Sequence, residues 1–433
     1  MSGFAVLAAV FVGYALIARR LDLWWITAPM VFMTAGLILG PNAAGILPFD
    51  LGSHTILTIT ELTLALLLFS GAAAVRLKDL RVDAALPRRL LSIGLPLTIV
   101  AGILLGYYLL PGTGWALAAL IATILAPTDA ALGLPVVSNR AVPARIRRAL
   151  NVESGLNDGI ATPIVTLLIA VVAASEDLGQ RSWGLEAIKE IGLALLAAAV
   201  VGYAGGKLLA LAKNRGWTSE LSEQVAILAL ALLSYQGAVA IGGNGFVAAF
   251  TGGLLFGAAV RGRRLASQGA FTETVGLIGS FLVWAAFGAL FVGELFRHGF
   301  SVRPILYAVL SLTVVRMVPV ALALIGTRLR PTTVAFMGWF GPRGLASVVF
   351  TLIALEEFEH SEVGATLVEA ATWTILLSVV LHGISASPFA ARYGRSIPTA
   401  GDVPERAPVQ EPRLRIRDLA LRRAPHESRP ERR

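Results

Sequence analysis

The sequence contains no cysteine, which excludes disulfides and thiolate metal sites. It is also poor in charge. Asp, Glu, Lys and Arg make up 15% of the 433 residues, where soluble domains carry about 25%. No basic stretch precedes the first apolar run, since MSGF holds no Lys or Arg, so no cleavable leader is expected and that run counts as a membrane span. A phosphate-binding loop is missing as well: GYAGGKLL (202–209) lacks the Walker spacing and the hydroxyl residue after its lysine, and its glycines suit close helix packing instead. The histidines show no metal-site spacing, and His382 reads as a packing or hydrogen-bonding residue. No cofactor is expected.

Apolar residues are abundant. They make up 56% of the chain, mean hydropathy is +0.74, and apolar runs recur from end to end. The implied fold class is an all-α polytopic membrane protein with the lipid bilayer as its partner. Runs of about 17–25 residues span the hydrocarbon. They predict thirteen helices, near 4–18, 22–40, 54–75, 89–110, 114–138, 150–174, 187–212, 222–242, 245–260, 271–296, 304–326, 332–356 and 364–390.

Bases in the connections test that count. Arg19 and Arg20, Arg76 to Arg89, Arg140 to Arg148, Lys213 and Arg215, Arg261 to Arg264, and Arg328 with Arg330 fall in every second connection, as cytoplasmic loops should. The N-terminus is therefore expected outside and the C-terminus inside. The net charge of +9 follows from these loops and the tail, and no nucleic acid is needed to explain it. From about residue 391 the composition turns to Arg, Pro and Glu, so 391–433 reads as a basic, disordered cytoplasmic tail. Within it LRIRDLALRR (414–423) has the pattern of a short amphipathic turn on an anionic leaflet, the solvated reading being the simpler one.

Against this apolar background a few ionisable residues stand out. Each costs at least about 2.5–3.5 kcal/mol within a span and is expected to line a cavity or find a partner. They are Glu61, Asp129, Glu153, Asp158, Arg316 and Arg343. Glu223, Glu273 and Glu294 fall near helix ends, where solvation accounts for them. In NVESGLNDGIATP (151–163), Ser154, Asn157 and Asp158 are i, i+3 and i+4 and share one face. Glu153 points roughly 140° away from Asp158 and needs another partner; a buried arginine is the only candidate of opposite sign. A carboxylate beside Ser154 and Asn157 supplies the oxygens that a hard monovalent cation takes.

ILAPTDAALGLP (124–135) adds a second half. Pro127 has no N–H and clashes with the carbonyl of Thr123, so the helix should open there, beside Thr128 and Asp129. Pro127 alone would read as a kink. With Thr-Asp next to it, a break lining a wet cavity is the better expectation. MGWFGPRGLAS (337–347) holds a matching interruption at Gly341, Pro342 and Gly344 around Arg343. The breaks fall in helices 5 and 12. An offset of seven helices reverses direction across the membrane, so helices 1–6 and 8–13 are expected to form inverted repeats whose discontinuous members cross near the midplane. Arg343 is placed to offset the partial charge of exposed helix C-termini, with a gating pair to a loop acid as the alternative.

Together APTDAALG, NVESGLNDGIATP, NGFVAAFTGGLLFG (244–257) and FGPRGLAS resemble the monovalent cation/proton antiporter superfamily, in particular its sodium/proton exchanger branch. The resemblance covers roughly residues 1–390. It implies a homodimeric antiporter with a dimerisation part and a mobile core, the core taken as helices within 54–174 and 271–390. By motif, Thr128, Asp129, Ser154 and Asp158 match cation and proton site residues, with Asp158, Ser154 and Thr128 as ligands of the cation. Asn157 stands where electrogenic relatives have aspartate, which implies exchange of one proton for one cation. Glu153 and Arg316 match a glutamate and an arginine that pair across the core. Glu61 resembles the acid of an E-L-G-L-x-L-L-L-F stretch, whereas Ser70 departs from the acid many exchangers carry after L-L-F.

The expected activity is exchange of Na+, or Li+ or K+, for H+ across a cell membrane, through competition of the two ions for Asp158. A cation channel and an intramembrane acid/base enzyme using Asp129 and Asp158 are the alternatives. A channel requires a continuous pore lined by carbonyl or charged rings. An enzyme requires a nucleophile or metal constellation, which the sequence does not display.

Overall fold

Apolar stretches in lipid can satisfy their own backbones only as helices or closed barrels, and in the computed structural model of this chain every regular element among the described residues is helical. The structure describes residues 3–47, 49, 54–75, 84–129, 132–175, 183–260, 269–298, 301–358, 361–397 and 403–407. In chain order the helices are α1 (Gly3–Leu23), α2 (Ala28–Leu39), α3 (His54–Ala74), α4 (Ala85–Leu109), α5a (Trp115–Ile124), α5b (Leu134–Val137), α6 (Ala144–Ser175) and α7 (Leu185–Asn214). They continue with α8 (Glu220–Ala240), α9 (Gly245–Ala259), α10 (Ala270–Arg297), α11 (Val302–Ala323), α12a (Pro331–Trp339), α12b (Leu345–Glu357) and α13 (Glu362–Ser396).

Eight of these helices (α3, α4, α6, α7, α8, α10, α11 and α13) are long and apolar enough to cross a bilayer, so the chain is an integral, multi-pass membrane protein. Helices α5 and α12 fall short of that length because each is broken. In both, the first half ends three residues before a proline: α5a at Ile124 before Pro127, and α12a at Trp339 before Pro342. A proline has no N–H to offer the carbonyl four residues back, which weakens the ladder. Pro163, Pro319 and Pro388 are carried inside helices all the same, so the two breaks also need their neighbours, Thr128 and Asp129 in α5 and Gly341 and Gly344 in α12.

Two bundles form. Helix α5a packs on α4 and α6, and α11 on α4, α12a and α13, with α12b on α13. In the other bundle α3 lies against α9 and α10, α2 against α10, and α7 and α8 against α9. The sequence reading grouped α3 and α10 with the first bundle, whereas their most extensive packing is in the second. The physical reason is a close approach: Gly253 of α9 meets the Phe69 backbone of α3, where any Cβ would collide with the Phe69 carbonyl.

The end of the molecule that carries Arg145 and Arg330 is capped by the chain's own C-terminal segment. Helix α13 runs on to Ser396, past the composition change at 391, and Pro404–Arg406 form a 3-10 turn. There Arg330 N and Thr333 Oγ1 each donate to Glu405 Oε1 at 2.8 Å, and Arg145 Nη1 donates to Pro404 O at 2.7 Å. Residues 408–433, LRIRDLALRR among them, lie outside the described residues. Glu223 also differs from expectation. It is buried, with its carboxylate bound by Lys213 Nζ at 2.6 Å and Thr218 Oγ1 at 2.8 Å, because the turn between α7 and α8 folds over it.

Candidate functional site

The two breaks meet. Asp129 N, just past the end of α5a, donates to Pro342 O at 2.7 Å. Each break then treats the other's helix end. Arg343 Nη1 donates to Ala126 O and, at 3.3 Å, to Pro127 O, two carbonyls released by the opening of α5. Ser347 Oγ of α12b donates to Ile124 O at 2.8 Å. In the opposite direction Asp129 Oδ2 accepts from Leu345 N, the first residue of α12b, at 2.9 Å, and its Oδ1 accepts from Leu132 N at 3.2 Å. A cation thus faces a helix C-terminus and a carboxylate faces a helix N-terminus, the two arrangements the helix dipole favours.

That accounting assigns Arg343 to the carbonyls of α5 instead of a loop acid. It also gives the Asp129 carboxylate a capping position, which sequence reasoning had assigned to ion binding alone. Gly344 makes room for it, since a Cβ there would occupy the space of the Asp129 side chain. Gly344→Ala is therefore expected to dislodge the cap and cost about 1–3 kcal/mol. A thermal melt of the detergent-solubilised protein checks this, and an unchanged midpoint would contradict it.

Beside the crossing stands α6. Asn157 Nδ2 donates to Thr128 Oγ1 at 2.7 Å, and Thr128 Oγ1 shares a hydrogen bond with Ser154 Oγ at 2.9 Å. Thr128 and Asn157 are almost wholly buried, Ser154 and Asp158 half-buried. Asp158 follows on the same face one turn after Ser154, and its main-chain oxygen accepts from Thr162 Oγ1 at 2.7 Å. Asn157 Oδ1 is buried with no hydrogen-bond partner among the described residues. A hydroxyl, an amide oxygen and a carboxylate from α6, with the Thr128 hydroxyl from the α5 break, make a hard-oxygen donor set suited to a small monovalent cation.

Glu153 points elsewhere, as its helical phase requires. Arg316 Nη1 lies 2.7 Å from Glu153 Oε1, with the side chains 2% and 3% exposed. The pair backs onto the α12 break, because the Gly341 Cα faces the Arg316 guanidinium with no room for a Cβ. Glu61 is not brought to the Thr128 cluster. It sits in α3, accepts a hydrogen bond from the Tyr235 hydroxyl of α8, and lies near Glu356 at the end of α12b. An acid-lined cleft opens at the far end of α6, where Pro163 and Thr166 meet Glu186 and Glu190 of α7, Asn244 and Glu357. It begins about 7.5 Å along the helix axis beyond Asp158. Sequence reading missed this cleft because its acids come from two helices far apart in the chain, α7 and α12b.

Comparison with known proteins agrees with this architecture. The sodium/hydrogen exchanger transmembrane family model matches residues 6–392. The K(+)/H(+) antiporter NhaP2 of Shewanella sp. (strain ANA-3) is 28% identical over 255 residues, 58% of this chain and 43% of that protein; the match thus spans less than half the length of these relatives. The Na(+)/H(+) antiporter of Schizosaccharomyces pombe is 26% identical over 81% of each chain. The structure of the sodium proton antiporter MjNhaP1 from Methanocaldococcus jannaschii superposes with a TM-score of 0.71 at 21% identity, covering 90% of this chain and 98% of that one, and shares the fold. With a family match that runs from the first helix into the last, this chain belongs to the sodium/hydrogen exchanger family.

Proposed function

We propose that the protein is a secondary transporter that exchanges a monovalent cation for a proton, both carried in turn by Asp158. The observation that carries the proposal is the juxtaposition of Asp158, Ser154, Asn157 and Thr128 beside two helix breaks whose end charges are already neutralised by Arg343 and Asp129. With those ends satisfied internally, the carboxylate that shares one face of α6 with the oxygen donors of Ser154 and Asn157 is Asp158. A carboxylate removed from bulk water holds either a proton or a cation, and movement between inward- and outward-facing states only when it is occupied couples the two gradients. The relatives named as K(+)/H(+) and Na(+)/H(+) antiporters support this reading.

In this reading all the helical segments cross, with α5a and α5b counted as one span and α12a and α12b as another, to give thirteen spans in two inverted repeats. The N-terminus is outside and the C-terminus in the cytoplasm of a cell-membrane protein that works as a homodimer. The acid-lined cleft of Glu186, Glu190 and Glu357 then faces outward and concentrates cations near Asp158. The bundle of α4 to α6 and α11 to α13 is the moving part, and Glu61 stands at its boundary with the other bundle. The test is a pH-gradient dye assay in proteoliposomes, titrated with Li+, Na+ and K+. Proton movement with none of them would end the proposal.

Asn157 sets the expected stoichiometry. One titrating carboxylate exchanges one charge for one charge, so transport is expected to be electroneutral. Asn157→Asp adds a second carboxylate and is expected to make exchange sensitive to membrane potential; a valinomycin-set voltage that leaves the variant's rate unchanged would contradict this.

A further inference from the structure

Helix α13 carries Ser378 and His382 one turn apart, 0% and 1% exposed. In an unbroken α12 the Arg343 N–H would donate to the Trp339 carbonyl, the ordinary bond between residues four apart. The break separates these two groups, and each turns to α13. Arg343 N donates to Ser378 Oγ at 2.6 Å, and Trp339 O, which also accepts from Gly341 N at 2.8 Å within the break, lies 2.9 Å from His382 Nε2. Ser378 Oγ and His382 Nδ1, 3.2 Å apart, close the chain.

Donor and acceptor accounting fixes the tautomer of the neutral ring. The Trp339 carbonyl can only accept, so Nε2 carries the hydrogen and Nδ1 accepts from the Ser378 hydroxyl, whose oxygen in turn accepts from Arg343 N. The Ser378 carbonyl, 3.0 Å from Nδ1, is a second acceptor and does not bond to it in this state. The imidazole is held flat by stacking on Trp339, with centroids 5.0 Å apart, and the indole is itself anchored by Nε1 donating to Ser385 Oγ at 2.9 Å.

We infer that Ser378 and His382 are a positioning pair that stands in for the missing Trp339–Arg343 helical bond and fixes how far α12 opens. Neither residue touches Asp158. They act through Arg343, whose guanidinium reaches the carbonyls of Ala126 and Pro127 immediately before Thr128. A slip of the Arg343 backbone withdraws that guanidinium and lets the Thr128 hydroxyl shift from Ser154 and Asn157. The inference rests on the transport reading for its consequence and on the hydrogen-bond geometry for its substance.

The test uses His382→Leu, which removes the donor, and His382→Gln, which keeps one near the position of Nε2. In cation-titrated proteoliposomes H382L is expected to raise the half-saturating cation concentration about tenfold and H382Q to stay within about twofold of wild type. S378A is expected to shift it in the same direction, and S378A/H382L to be no worse than H382L alone, because the two side chains act as one unit. Backbone amide exchange of the 336–346 peptide gives a readout independent of transport, with faster exchange in H382L and S378A than in H382Q. Lower yield with unchanged half-saturation and unchanged amide protection would overturn the pair's role. Should H382L fail to fold, H382N replaces it; asparagine does not reach Trp339, so a Gln variant no better than the Asn variant also overturns it. If wild type moves no protons with any alkali cation, the transport reading fails, and the amide exchange rates alone decide the pair.

Discussion

Replacing Asp158 with asparagine is expected to reduce cation-dependent proton movement in everted membrane vesicles to background while the protein still folds. The substitution keeps the shape of the side chain and its place one turn after Ser154 on α6, so packing changes little and stability should stay within about 1 kcal/mol of wild type. What it removes is the one property the mechanism requires. An amide neither binds and releases a proton near neutrality nor carries the negative charge that holds a cation against dehydration. The neighbouring carboxylate cannot replace it without cost, since Asp129 already accepts from Leu132 N and Leu345 N at the helix crossing. Retained wild-type exchange in Asp158→Asn would take the carrier role from Asp158.

Arg316→Ala should act on the fold before it acts on transport. Glu153 and Arg316 are buried and meet through a single contact of 2.7 Å. Glu153 Oε2 and Arg316 Nε and Nη2 have no hydrogen-bond partner among the described residues. Removing the arginine leaves a buried carboxylate with no compensating charge, at a cost of about 3–5 kcal/mol. It also takes away the group against which the Gly341 turn of α12 packs. Yield and melting temperature should both fall sharply. The double variant Glu153→Gln with Arg316→Met, which removes both charges, should recover much of the loss. A fully stable Arg316→Ala protein that cannot transport would contradict the structural assignment and move the pair into the transport cycle.

Some of this was legible in the sequence, and the reasons differ from residue to residue. Pro127 and Pro342 announce their breaks together with their neighbours, Thr128 and Asp129 after the one and Gly341 and Gly344 around the other, since Pro163, Pro319 and Pro388 sit inside helices. The shared face of Ser154, Asn157 and Asp158, and the exclusion of Glu153 from it, follow from helical phase alone. The Glu153 partner could be narrowed to a buried arginine because so few buried charges exist. Longer-range choices were not legible. That the Asp129 carboxylate meets Leu345 N, 216 residues away, depends on how the two breaks cross. His382, legible only as a packing or hydrogen-bonding residue, shows no link in sequence to Trp339, 43 positions earlier. The packing of α3 against α9 rests on a glycine contact that periodicity cannot assign, and the burial of Glu223 on a turn that closes over it.

The central claim is that one carboxylate, Asp158, holds a proton and a metal cation by turns. The most direct measurement is the half-saturating cation concentration of the reconstituted wild-type protein across a series of pH values. Competition for a single site predicts that it rises about tenfold for each pH unit lowered on the acid limb, because the ligand must lose its proton before the cation binds. A half-saturating concentration that is the same at every pH, or cation flux without a matching proton flux, would contradict the account.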